Sequence, residues 1–426
     1  MATHVDSLEN GLKVILRPMA DTKALSCWVT YRVGSRNEVP GMTGSTHWVE
    51  HMLFKGGGKL KKGEIDRLIS RVGGKMNAFT DTDFTTYFET IPTSEMDTAL
   101  MIESERMRNA AFDPKEVEAE RTVVISEREG AENQPEFLTE EELWGLAFHV
   151  HPYHWTAIGY KQDLARLERD PLYQHYLRYY APNNAFLVLV GGFDPAVAMQ
   201  HIRESFSPLK PEPTPPAMRL VEPEQHGERR SDLEQPGATD LLAMGWHIPP
   251  FVHDDTPALM LLATILGGWH GLTPFAAGDW RSRSNRLYRA LVEAKLATDV
   301  SVRQELKLDP TLLIASATLA DRVSLDRVEA VVDREVERLR KIPASKTEMD
   351  RAKRQVRSWY RYEHDGVTYQ GMLLSTLEAL SGWDAGETVL AKVDRLRSEQ
   401  VREVARRYLI EDHRSVVRFH AQEVPS

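Results

Sequence analysis

The chain has 426 residues, 42% of them hydrophobic and 27% charged, which is enough to bury substantial cores and, at roughly 150 residues per domain, to form two or three domains. A formal charge of −10 argues against binding to nucleic acid phosphates or an anionic membrane and favours a basic or neutral polypeptide partner. The single cysteine, Cys27, rules out an intramolecular disulfide and, lying in the apolar run "LSCWVTYRV", reads as a buried core thiol. No stretch approaches the roughly 18 apolar residues needed to span a bilayer, and "ATHVDSLENGLKVIL" has no basic and apolar leader pattern. The expectation is a soluble cytoplasmic protein, or a periplasmic one if a leader has been removed.

In chain order, "LENGLKVILRP" couples an Asn-Gly turn to an apolar strand, and "ALSCWVTYRVGSRNE" supplies a second strand ending near Gly34. A helix follows, expected to start near Gly44 to Thr46 with Ser45 or Thr46 as its cap and to end around the glycines at 56 to 58. "KKGEIDRLISRVGG" reads as a helix, "KMNAFTDTDFTTYFETIP" as two strands, "TSEMDTALMIESERMRN" as a helix, and a long helix begins at Pro114. "DPLYQHYLRYY" and "AFLVLVGGF" give a further helix and a buried strand.

Residues 208–225 hold six prolines in eighteen positions, a density that excludes regular helix or central strand and marks a connector. Beyond it, "ATDLLAMGWHIPPFVHDDTPALMLLATILGG" repeats the strand, turn and glycine-closed helix of the first half. "TEMDRAKRQVRSWYRYEH" is a further long helix. "SEQVREVARRYL" and "SVVRFHA" match "PLYQHYLRYY" and "AFLVLVGGF". The reading is an α+β fold of two similar domains, 1–207 and 226–426, joined by the 208–225 linker, each an antiparallel-rich sheet packed with helices.

The first helix contains His47-Trp-Val-Glu50-His51. Residues four apart stand one above the other, with Cβ atoms about 6 Å apart, which suits two imidazoles binding one Zn²⁺ at about 2.0–2.1 Å. Glu50 borders the same face and lies beside such a metal, where a carboxylate can take a proton from water. The plainer alternative makes all three polar decoration on a helix whose core side is Val49, Met52, Leu53 and Phe54. A zinc hydrolase needs a third protein ligand, and the helix "PKEVEAERTVVISEREGA" offers Glu116, Glu120 and Glu127 on one arc flanked by Val117, Val123 and Val124. Acids amid an apolar arc are costly to bury without a cation. Periodicity does not choose among the three.

His47-x-x-Glu50-His51 is the inverted zinc motif, and nearly the whole chain resembles the pitrilysin, insulinase and mitochondrial processing peptidase family, in its short bacterial form. The resemblance implies a zinc metallopeptidase holding one Zn²⁺ on His47, His51 and Glu127. Glu50 and Glu120 are its catalytic glutamates, with Glu120 supporting the site from behind. It also makes "GGKMNAFTDTDFTTYF" a substrate-binding edge strand, with Asn77, Ala78 and Phe79 beside the scissile bond of a peptide added as a further strand. "HPYHWTAIGY" is family-like in a structural sense, so His149, His151 and His154 are expected to serve packing or the surface.

Two stretches depart from the family pattern. Val292 and Thr298, in "RALVEAKLATDVSV", stand where the family carries an arginine and a tyrosine that grip substrate. This chain therefore resembles a metal-bearing subunit working with a homologous partner in a heterodimer, or as a homodimer. "WHGLTPFAAGDWRSRSNRLY" carries an insertion at about 269–285, read by default as a surface loop, with a partner-contacting loop as the alternative. The competing expectation is a non-catalytic structural subunit of a processing-peptidase-like assembly.

Overall fold

The computed structural model describes residues 2–20, 22–268, 271–273 and 283–422. Only parts of the 269–285 insertion fall among them; the rest of that stretch lies outside the described residues. The strands are β1 (His4–Ser7), β2 (Lys13–Pro18), β3 (Ala24–Tyr31), β4 (Lys75–Thr80), β5 (Thr85–Pro92), β6 (Ala185–Gly191), β7 (Arg229–Pro236), β8 (Leu241–Ile248), β9 (Ala297–Gln304), β10 (Thr311–Leu319) and β11 (Arg414–Gln422). The helices of the first half are α1 (Ser45–Met52), α2 (Glu64–Arg71), α3 (Met96–Asn109), α4 (Pro114–Glu132), α5 (Pro135–Ala147), α6 (Lys161–Arg166), α7 (Arg169–Tyr179) and α8 (Pro195–Phe206). Those of the second are α9 (Thr256–Leu266), α10 (Leu325–Lys341), α11 (Lys346–Tyr362), α12 (Gly366–Leu380), α13 (Ala385–Arg395) and α14 (Ser398–Tyr408). No described helix is long and apolar enough to cross a membrane.

The first sheet runs β1-β2-β6-β3-β5-β4 and the second β7-β11-β8-β10-β9. In the first, β6 is inserted between β2, to which it is parallel, and β3, to which it is antiparallel. In the second, β11 is inserted in the same way between β7 and β8. The pairing seen in sequence between "AFLVLVGGF" and "SVVRFHA" is thus a topological repeat, and the α+β fold with two similar domains holds. β6 is buried along its whole length and β3 almost so, because both lie inside the sheet with covered faces. Cys27 sits there as a buried thiol.

The 208–225 segment contains no helix or strand, as its prolines dictate. The compact units are not contiguous in sequence: one comprises Met1–Glu129, Trp155–Arg219 and His364–Ala379, the other Gly130–His154, Leu220–Glu363 and Leu380–Ser426. Each borrows a helix. In the second unit α5 packs on β7, β8 and β11, sending Leu143, Trp144 and Ala147 into a core with Ala243, Leu312 and Val417. In the first, α12 lies on the sheet at Gly371, where a Cβ would come within 2.2 Å of the Trp28 indole nitrogen. Only glycine permits that approach.

Candidate metal centre

The helix α1 is placed by a residue outside it. Gly44 precedes it at φ 82°, and neither Ser45 nor Thr46 caps it with a side chain, contrary to the sequence expectation. Buried Glu38 does so instead: its carboxylate accepts N–H bonds from Gly44 (2.8 Å) and Thr46 (2.7 Å). An acceptor of larger reach takes the role because Ser45 and Thr46 are themselves already in the first turn. The helix also ends earlier than expected, at Met52, four residues before the glycines. Trp48, Val49, Met52 and Leu53 face the core, which leaves His47 and His51 together on the other side.

Their Nε2 atoms are 3.2 Å apart. A tetrahedral cation about 2.0–2.1 Å from each nitrogen would set them about 3.3 Å apart. From α4, Glu127 brings Oε2 to 3.4 Å from His51 Nε2 and 3.7 Å from His47 Nε2, so three ligand atoms converge within 4.8 Å of one another. The donor set, two imidazoles and a carboxylate, fits a catalytic zinc site, with a fourth position left for water or substrate. Burial, with the His51 ring beside it, pushes His47 down to about 3, so its ring is a neutral lone-pair donor. Its Nδ1 is buried and has no hydrogen-bond partner among the described residues.

The three candidate glutamates of α4 separate once packed. Glu127 is half-exposed, not buried in an apolar arc, and Val123 beside it is exposed as well. Glu116 pairs with Lys62 at 2.6 Å, away from the histidines. Glu120 is buried and reaches His51 Nδ1 at 2.9 Å with one oxygen and the Lys55 ammonium with the other. Burial alone would raise its carboxyl, but the hydrogen bonds from Lys55 and His51 outweigh it and hold Glu120 below the usual carboxylate range. Glu120 therefore meets His51 at the ring nitrogen turned away from His47, and among the described residues the converging ligand atoms come from His47, His51 and Glu127.

Glu50 is buried, and burial pushes its carboxyl up to about 7 against the opposing effects of the Thr80 hydrogen bond and the nearby His51 ring. Thr80 Oγ1 donates to Glu50 Oε2 at 2.6 Å. That bond brings β4 against α1. β4 is the terminal strand of its sheet, with Asn77 exposed, Phe79 half-buried and Ala78 buried, so the three sequence candidates lie on an edge one to three residues from the Thr80 contact. His151 is buried and meets Asp309 at 3.1 Å, consistent with a packing role. Sequence reasoning missed Glu38, Lys55 and Thr80. Lys55, one helical turn beyond His51, carried the one readable signal.

The sequence pattern of the insulinase family, peptidase family M16, matches residues 13–158, and that of the peptidase M16 inactive domain matches residues 166–356. Zinc protease PqqE of Helicobacter pylori is 30% identical over 353 residues, spanning 82% of this chain and 77% of the relative. The chain belongs to peptidase family M16, the pitrilysin and insulinase family. Another M16 relative, mitochondrial-processing peptidase subunit beta of Lentinula edodes, is 25% identical over 96% of this chain and 87% of its own. The crystal structure of a protease from Helicobacter pylori superposes with a TM-score of 0.92 at 26% identity, covering 98% of this chain and 99% of that one. The histidines and Glu127 all lie within the stretch matched by the insulinase pattern.

Proposed function

We propose that this M16 chain is a zinc-dependent endopeptidase acting on peptides or unfolded polypeptide segments. The observation that carries the reading is the convergence of His47 Nε2, His51 Nε2 and Glu127 Oε2, with the Glu50 carboxylate on the same helix. Zinc, when bound by these three side chains, supplies a Lewis acid that polarises a carbonyl and acidifies water.

The chain's own residues do the rest. Thr80 holds Glu50 Oε2, leaving Oε1 to accept a proton from the attacking water and to pass it to the amine nitrogen as the peptide bond breaks. An extended peptide adds along β4, its backbone taking up the outer N–H and C=O groups of Asn77 to Phe79 while Ala78 and its neighbours set the side-chain pockets. Glu120 keeps His51 aligned. Val292 and Thr298, the latter exposed on edge strand β9, offer neither a guanidinium nor a phenol to substrate, which supports a homologous partner subunit as the source of such a clamp.

The deciding test is Glu50→Gln. Hydrolysis of an unfolded polypeptide, assayed with and without a clamp-bearing homologue, falls to background while one zinc per chain is retained. Undiminished turnover by the variant sinks the mechanism, and a wild-type chain that takes up no zinc under any condition favours the non-catalytic assembly role.

A further inference from the structure

We propose that Lys55 is a positioning residue for the metal centre: by tying one oxygen of Glu120 it presents the other to His51 Nδ1, and so fixes which ring nitrogen of His51 offers its lone pair. The inference rests on His47, His51 and Glu127 being the ligands.

The geometry leaves Lys55 little latitude. Past Met52 the chain does not leave the helix at once. The N–H groups of Leu53, Phe54 and Lys55 donate to the carbonyls of Val49, His51 and Met52 at 3.0–3.1 Å. These turns keep Lys55 on the His51 side of α1, one turn further on. Arg106 Nε donates to Leu53 O at 3.4 Å, pinning the same segment. The chain then turns through Gly56 at φ 89° and Gly58 at φ 56°, while a Cβ on Gly57 would stand 2.0 Å from Asn109 O at the end of α3. That close approach fixes the backbone immediately after Lys55.

From this position the ammonium pairs with Glu120 Oε2, and Glu120 Oε1 lies 2.9 Å from His51 Nδ1. Glu120 is 7% exposed and Lys55 25%, so neither bond is readily exchanged for water. A carboxylate whose two oxygens face two different donors cannot rotate without breaking a charge-assisted bond. With Nδ1–H donating to Glu120, the lone pair of His51 is on Nε2, the atom that faces His47 and Glu127. For His47, whose Nδ1 is buried, no hydrogen-bond partner of that atom is found among the described residues. The orientation of the His51 ring therefore rests on the His51–Glu120–Lys55 chain.

Partners of this kind are worth about 10- to 100-fold in metal affinity. The test compares wild type, Lys55→Met and Lys55→Arg in zinc competition against a chromophoric chelator. In parallel, ¹⁵N NMR of the histidine-labelled, metal-free proteins reads the His51 tautomer. Expected are a zinc affinity roughly 10- to 100-fold weaker in Lys55→Met, near-complete rescue in Lys55→Arg, and a His51 ring that changes from the Nδ1–H form to a tautomer mixture in Lys55→Met alone. Lys55→Met binding zinc within twofold of wild type with an unchanged tautomer overturns the inference. A wild type that binds no zinc overturns the ligand reading instead, and the metal-free tautomer comparison still decides the part played by Lys55.

Discussion

Thr80 on the edge strand β4 donates a 2.6 Å hydrogen bond to Glu50 on α1, so the strand proposed to take substrate is tied directly to the proposed base. A hydrogen bond to a charged group contributes about 1.5–3 kcal/mol, and if it serves the transition state its loss costs roughly ten- to a hundredfold in rate. Thr80→Val, which keeps the shape and removes the hydroxyl, is expected to lower kcat by that factor at unchanged zinc content. Steady-state kinetics with metal analysis checks it. A drop in zinc content with kcat per bound zinc intact would assign Thr80 to the fold instead.

Glu38 terminates α1 from outside, and its loss leaves the Gly44 and Thr46 N–H groups unpaired in a buried place. Each such orphan costs about 1–3 kcal/mol. Glu38→Ala is therefore expected to lower unfolding stability by about 2–6 kcal/mol, and Glu38→Gln, which keeps one acceptor oxygen, by about half as much. Urea denaturation of the metal-free proteins measures both. Equal losses in the two variants would mean that the volume of the side chain, not its acceptors, holds the helix start.

His175 is buried under α1 with Nε2 3.1 Å from Thr46 Oγ1, and burial, reinforced by Arg178, pushes its ring down to about 3 from 6.5. The folded protein holds this ring neutral while the unfolded chain protonates it. Between pH 6.5 and about 3 the unfolded state thus binds one more proton, and stability falls as the pH falls, by up to about 1.4 kcal/mol per pH unit from this group. His175→Gln should show a shallower loss of stability than wild type between pH 6.5 and 5, read from urea midpoints at a series of pH values. Identical slopes would remove His175 as a source of acid sensitivity.

Much of the fold was legible in local chemistry. The Asn-Gly turn, the apolar runs of β3, β6 and β8, the lack of helix and strand over the proline-dense 208–225 and the long helices α4 and α11 follow from periodicity and backbone restriction, which act over a few residues. The helix cap was misjudged because Ser45 and Thr46 suit a cap locally, whereas the acceptor that wins, Glu38, arrives along a loop whose path the sequence does not encode in any period. The exchange of α5 and α12 between units was illegible for a related reason: an amphipathic helix states that it has an apolar face but not which sheet will cover it.

By itself the sequence determined that His47, Glu50 and His51 share one stretch of helix, because a 3.6-residue repeat fixes their spacing whatever the rest of the chain does. It also determined that a carboxylate from the helix beginning at Pro114 was available. Its periodicity left Glu116, Glu120 and Glu127 open, with Glu127 implied by the family resemblance alone; only the tertiary structure gives each its surroundings, sending them to Lys62, to His51 and Lys55, and to the imidazole pair. All three lie on similar arcs of one helix, and their fates differ because each stands at a different level along α4 and meets a different partner, and those partners lie more than fifty residues away in sequence, where no local periodicity reaches.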